Sequence, residues 1–203
     1  MSNPALNGFL KWSLENSDAS RKEGAPAKTT LSPEMGRALF GESDADLMKK
    51  NMEVVESNEQ DLENRVTAFE NFEQLIESLD NANNLGILGL WTKLVDQLQN
   101  SEAQLRMYAA WCCGIAVQNN IKSQQQLLEL GAIPTLVKLA TGDEDKDVRK
   151  KAILALSSTV RNFPPALNAT ISNLPEQFKP KGQLDAADMD SVNTLMEKLR
   201  ASV

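Results

Sequence analysis

Few residues in this chain are equipped to make or break bonds. It has no histidine and a single tyrosine, so the commonest general base and metal ligand is missing and little replaces it. Glu70 and Glu73 could in principle work as a paired acid and base, but that role needs a deep cleft that perturbs them. With Glu63 and Glu77 they form a stripe expected to be a solvated helix face. Asp143, Asp145 and Asp147 copy the opening of a calcium loop, yet Val148 stands where glycine is required and Leu154 where the closing glutamate should be. Cys112 and Cys113 are neighbours in a helical pattern, where side chains splay apart, and are expected to be reduced core residues. Asn168-Ala169-Thr170 would be a glycosylation site only in a secreted chain. No phosphate-cradling glycine loop or cysteine metal cluster occurs. We therefore expect no catalytic residue, no metal site and no cofactor, and read the chain as a binding protein.

The amide clusters are more informative. Asn81-Ala82-Asn83, Gln118-Asn119-Asn120 and Arg161-Asn162 fall near the ends of helical patterns. Asparagine there can cap a helix or adopt the left-handed conformation, or it can donate and accept towards a partner without a charge to desolvate. They are positioned by a repeat. Leu105-Arg106, Ala109, Cys112-Cys113, Val117 and Asn119 match Val148-Arg149, Ala152, Ala155-Leu156, Val160 and Asn162 at a spacing of about 43 residues. A period in the forties with wholly helical units is the mark of solenoids of the armadillo and HEAT kind, whose units are stable only when stacked.

The elements follow from periodicity. Leu6, Phe9, Leu10 and Leu14 describe a short amphipathic helix with Trp12 off its stripe, which can dock or stay free. Residues 18–33 are small, polar and twice broken by proline, as in a flexible linker. A helix capped by Ser32 is expected to run to Phe40, and another to span Asp44 to Glu56. Leu62, Val66, Phe69, Phe72, Ile76 and Leu79 predict one long helix, and Leu88, Trp91, Leu94, Val95 and Leu98 the next. Leu105 to Gln118 is apolar over most of its circumference, as a sandwiched helix should be, with Trp91 and Trp111 both expected in the core. Ser123 to Leu130, a helix opened by Gly131 and Pro134 and stopped near Gly142, then Val148 to Arg161 repeat the pattern. A short helix in 166–174 and a closing one from Asp185 to Arg200 complete the chain. The domain plan expected is a segment 1–17, a linker 18–33, capping helices 34–58, repeats 59–174, and a loop with a capping helix 175–203. The fold class is all-α: a right-handed armadillo-like solenoid of about three repeats with a C-terminal capping helix.

At 203 residues and 41% apolar content the chain can bury a real core. The net charge of −7 is local. Glu42, Asp44, Asp46, Glu53, Glu56, Glu59, Asp61, Glu63, Glu70, Glu73, Glu77 and Asp80 meet only Lys49, Lys50 and Arg65 across that stretch. Such a block repels phosphate backbones, and no basic stripe interleaved with aromatics exists, so no nucleic-acid partner is expected. No apolar window approaches the roughly 20 residues of a membrane span. The N-terminus shows no basic leader before a long apolar run, so the chain is expected in the cytosol or nucleus.

GAIPTLVKLATGDEDKDVRKKAILALSSTVRN (131–162) resembles an armadillo repeat, from its glycine turn through a proline-opened helix and charged connector to a long third helix ending in asparagine. A narrower likeness covers nearly the whole chain. FLKWSLENS, FENFEQLIESLDNANN, LGLWTKLV, AAWCCGIAVQNN, VRKKAILALSSTVRN and LDAADMDSVNTLMEKLR resemble the fungal armadillo-type nucleotide exchange factors of seventy-kilodalton heat-shock chaperones. Longer members carry a further repeat where this chain has Phe163-Pro164-Pro165. The resemblance implies a cytoplasmic, monomeric, non-enzymatic factor that clasps the ATPase domain of a cytosolic heat-shock protein 70 and speeds ADP release, promoting the folding cycle and client release. It implies contacts from Asn81, Ala82, Asn83, Gln118, Asn119, Asn120, Arg161 and Asn162 on a concave face, and an N-terminal arm using Phe9, Leu10, Trp12 and Leu14. The alternative is a generic armadillo scaffold for another protein. The peptide-reading array of importin-type armadillo proteins is missing, because Ile115 and Ser158 stand where its asparagines belong.

Overall fold

The computed structural model describes residues 4–17, 32, 36–38 and 41–203. Most of the expected linker, and most of the helix expected from Ser32 to Phe40, lie outside the described residues; Gly36 to Ala38 are helical. The chain divides into two units at Asp46 and Leu47. In the first, α1 (Pro4–Glu15) carries Phe9 and Trp12 stacked at 6.0 Å, with Leu10 and Leu14 exposed. Asn16 closes it by donating its amide to the Trp12 carbonyl at 2.9 Å. Among the described residues no helix is long and apolar enough to cross a membrane.

The second unit is all helical among its described residues. α2 (Asp44–Glu56), whose first turn precedes the division, buries Met48, Met52 and Val55. α3 (Leu62–Ile76) starts where the Asp61 carboxylate accepts from the Asn64 N–H at 2.8 Å, a cap that satisfies an orphan donor. Then come α4 (Leu79–Ile87), α5 (Leu90–Asp96) with a 3₁₀ turn at Gln97–Gln99, and α6 (Ala103–Ala116). The same triplet recurs as α7 (Ile121–Glu129), α8 (Ala132–Gly142) and α9 (Lys146–Val160). α10 (Pro164–Asn173), a 3₁₀ turn at Glu176–Phe178 and α11 (Met189–Arg200) end the chain. Gly89 and Gly131, both at φ +67°, make the equivalent left-handed corner between first and second helices, which L side chains rarely adopt.

The repeated arginines explain the sequence match. Arg106 donates to the Asn100 and Ser101 carbonyls at 2.9 and 2.8 Å, and Arg149 to those of Asp143 and Glu144 at 2.6 and 3.1 Å. Each guanidinium thus clamps the loop into its own third helix. Third helices α3, α6 and α9 pack side by side. At Gly114 the approach is so close that a Cβ would stand 3.0 Å from the Ala155 Cα.

Two expectations need correction. The long helix expected to continue through Leu79 breaks at Glu77-Ser78, and Leu79 opens α4 with 59% of its surface exposed. The closing helix starts at Met189 and not at Asp185, because the Asp188 carboxylate caps it by accepting from the Asp190 N–H.

Candidate interaction face

The third helices end level with one another: Glu77, Val117 and Arg161 are the C-cap residues of α3, α6 and α9. Beside these ends lie two adjoining depressions that share Gln118 and Asn119. The larger, about 550 Å³, is lined by Gln124, Ser157, Arg161 and Asn162 with the aliphatic Ile121 and Leu154. The smaller, about 360 Å³, is lined by Glu77, Leu79, Ala82 and Ile115.

The expected contact residues separate into two groups. Gln118, Asn119 and Asn162 are exposed and Arg161 half-buried. Asn119 and Asn162 sit at φ +51° and +55°, so each also makes the left-handed exit from its helix. The others hold the fold. Asn81 is buried and donates its amide to the Leu75 carbonyl at 2.9 Å. Asn120 is buried, caps α7 by accepting from the Ser123 N–H, and donates to the Asn83 side chain at 3.1 Å. Ala82 is only 3% exposed and forms part of the depression wall. The clusters around 81–83 and 118–120 are therefore not equivalent positions. The first lies inside α4, the second in the turn before α7, and a hydrogen bond joins them.

Arg161 is held without a carboxylate. It donates to the Asn193 side-chain oxygen at 2.6 Å, to the Met189 sulfur at 3.0 Å and to the Ser157 hydroxyl at 3.4 Å. Gln124, which the sequence reading missed, donates to the Ser158, Thr159 and Arg161 carbonyls at 3.0 Å each, satisfying the last carbonyls of α9 from α7. Leu79, Ile121 and Leu154 were missed as surface residues as well; they are 59%, 59% and 40% exposed.

About two to three turns back along the same helices runs a ladder of rings. Phe69 stacks on Tyr108 at 6.0 Å, Tyr108 on Trp111 at 5.8 Å, and the Lys151 ammonium lies 3.0 Å from the Trp111 ring centre. The Tyr108 hydroxyl donates to Glu70 at 2.6 Å. Trp91 is buried as expected, but Trp111 is only half-buried, because Lys151 and not a helix covers it. Glu73 is no solvated residue either, at 8% exposure. Burial raises its pKa, the charges of Glu77 and Glu70 add to that, and Lys151 opposes it. Burial also pushes the Cys113 thiol up to about 12 and Cys112 well above its usual range, which makes both poor nucleophiles. The three aspartates act in structure. Asp143 pairs with Arg106, Asp145 caps α9 and Asp147 bonds Lys150.

A stack of three-helix units of this kind is an armadillo-type solenoid. Solved structures agree on the fold. A designed armadillo repeat protein in complex with the peptide (KR)4 matches 77% of this chain and 64% of its own at TM-score 0.55 and 20% identity. An engineered protein matches 83% and 73% at TM-score 0.58 and 17% identity. The family described as "Nucleotide exchange factor Fes1" matches residues 6–85, and the "SIL1/FES1/HPBP1 C-terminal domain" residues 81–173. An "Hsp70 nucleotide exchange factor FES1" of Gibberella zeae is 49% identical, spanning 100% of this chain and 99% of the relative. One from Coccidioides immitis is 48% identical over 96% of each. The chain belongs to the Fes1 family of nucleotide exchange factors.

Proposed function

We propose that this chain is an exchange factor for a cytosolic Hsp70, acting as a monomer by binding alone. The observation that carries this is the full-length match to relatives named as Hsp70 nucleotide exchange factors, together with a face whose depressions are lined by amides, aliphatics and a carboxylate-free arginine. That face is suited to docking on a folded surface.

The mechanism is negative linkage. The solenoid grips one lobe of the ATPase domain in a geometry that the nucleotide-closed cleft does not allow, so ADP and this chain each weaken the other's hold by the same factor. A coupling of about 1–3 kcal/mol changes affinity roughly 5- to 150-fold. ADP leaves sooner, ATP reloads, and client is released. Contacts are assigned to Gln118, Asn119, Arg161 and Asn162, with Ala82 in the wall and Asn81, Asn83 and Asn120 holding the turns. Phe9, Leu10, Trp12 and Leu14 of α1 are assigned to an arm that engages the chaperone separately.

The test is stopped-flow release of a fluorescent ADP analogue from a purified cytosolic Hsp70, chased with ATP. Release that accelerates with concentration and then saturates is expected. No acceleration by a chain that is helical by circular dichroism would leave a scaffold for some other partner.

A further inference from the structure

Two opposite charges line one groove, and neither is paired with an opposite charge among the described residues. Glu77 is exposed and makes no ion pair among the described residues, while Arg161 bonds an amide, a sulfur and a hydroxyl but no carboxylate. They cap α3 and α9, on either side of α6. Between them the groove carries Leu79, Ile115, Ile121 and Leu154.

Glu77 is badly placed for folding. It stands at a helix C-terminus, where the macrodipole disfavours an anion, and its charge adds to the pressure on buried Glu73. Arg161 at the end of α9 has the favourable sign. Further back along the same helices, the crossing from α3 to α9 is closed from within, since Lys151 reaches over Trp111 and its charge acts on Glu73. At the helix ends no such side chain closes it.

We propose that the groove receives one α-helix of the partner, lying across the ends of α3, α6 and α9 with its N-terminal end over Glu77 and its C-terminal end over Arg161. This rests on the exchange-factor reading above and names the element that docks. Neighbouring helices pack about 8–10 Å apart, so the two charges stand roughly 16–20 Å from each other. A helix of about 11–13 residues spans that. Its positive N-terminal end meets the anion and its negative end the cation. A helix satisfies its own backbone, so it can lie over Ile115 and Leu154 and leave the exposed amides of Gln118 and Asn119 to bond its side chains.

The experiment uses the full chain and the isolated Hsp70 ATPase domain, with affinity by calorimetry at low and moderate salt and melting by circular dichroism. Glu77→Lys should melt higher than the parent and bind about tenfold more weakly, the loss shrinking as salt rises. Leu154→Ser should lose about tenfold with no salt dependence, and Glu53→Lys on α2 should change neither. A photo-crosslinker at Leu79 should capture the N-terminal half of a partner helix, and one at Leu154 its C-terminal half. If the parent binds but Glu77→Lys and Leu154→Ser bind equally well, or the crosslinks fall in reverse order or on no helix, the docking proposal is overturned and the exchange-factor reading stands. A parent chain that does not bind the ATPase domain overturns both.

Discussion

The two ends of the third helices treat charge in opposite ways. At the N-terminal ends of α6 and α9 each arginine is spent on the fold. Arg106 clamps two carbonyls and forms a two-pronged pair with Asp143 at 2.8 and 3.0 Å, in a site where the Asp143 side chain is 6% exposed. At the C-terminal ends, Glu77 has no ion pair and Arg161 no carboxylate partner among the described residues. Paired charges at one end stitch repeat to repeat, and under the docking proposal the charges at the other end meet a partner. Substitutions at the first end should destabilise the chain, and those at the second should change what it binds.

The largest effect is expected where the backbones meet between the two ends. Gly114→Ala would place a Cβ 3.0 Å from the Ala155 Cα and 3.3 Å from its N. Backbone cannot swing aside like a side-chain tip, so α6 and α9 must part. A loss of about 1–3 kcal/mol is expected in denaturant unfolding.

Arg106→Ala comes next and tests the stitched end directly. It removes the pair and leaves Asp143 and two carbonyls short of donors, which should lower stability by about 2 kcal/mol. Its pH signature is specific. Burial pushes the Asp143 pKa up, but the Arg106 bonds and the Asp145 N–H outweigh this and hold it below the usual carboxylate range. A depressed acid contributes stability that is present above its unfolded pKa of about 3.9 and lost as pH falls through the folded value. The variant should therefore lose a smaller share of its stability below about pH 4 than the parent does. An equal acid loss in both would mean that the pair does not set this limb.

Asn119 separates capping from contact at the other end. Its φ of +51° costs little for asparagine or glycine but strains alanine by about 1 kcal/mol. Asn119→Gly should thus melt like the parent and Asn119→Ala somewhat lower. If the amide touches the partner, both should weaken ADP release on Hsp70 equally; if it only turns the chain, Asn119→Gly should act like the parent.

What could be read from the sequence follows the same division. The matched pairs Arg106 and Arg149, or Gly89 and Gly131, repeat because each unit must close the same loops, so the stacking was visible as a period. The interaction face was visible only in part. Leu79 continues the three- and four-residue spacing of α3, and only the turn at Glu77-Ser78 moves it to the surface. Trp111 sits in an apolar run because α6 is packed on several sides, so periodicity along one axis could not tell the side closed by a lysine from those closed by helices. Asn81 and Asn120 looked like their neighbours Asn83 and Asn119, and only their depth in the fold assigns them to structure.

Glu73 sits where the two regimes meet, and its substitution should have the smallest effect. It is buried among like charges, yet Lys151 faces it, so the stitched end and the open groove make opposite claims on it. Burial, Glu77 and Glu70 raise its pKa against the opposing pull of Lys151. An acid whose folded pKa lies above its unfolded one binds its proton more readily when folded, so its charge costs stability above that value and the cost fades as pH falls through it. Glu73→Gln keeps the shape and removes the charge. It should melt slightly higher than the parent at pH 7, with the gain shrinking as the pH approaches the carboxylate range from above. A lower melting point at pH 7 would instead mean that Glu73 is held chiefly by Lys151, making the ring ladder a salt-bridged staple and extending the stitched regime further towards the groove.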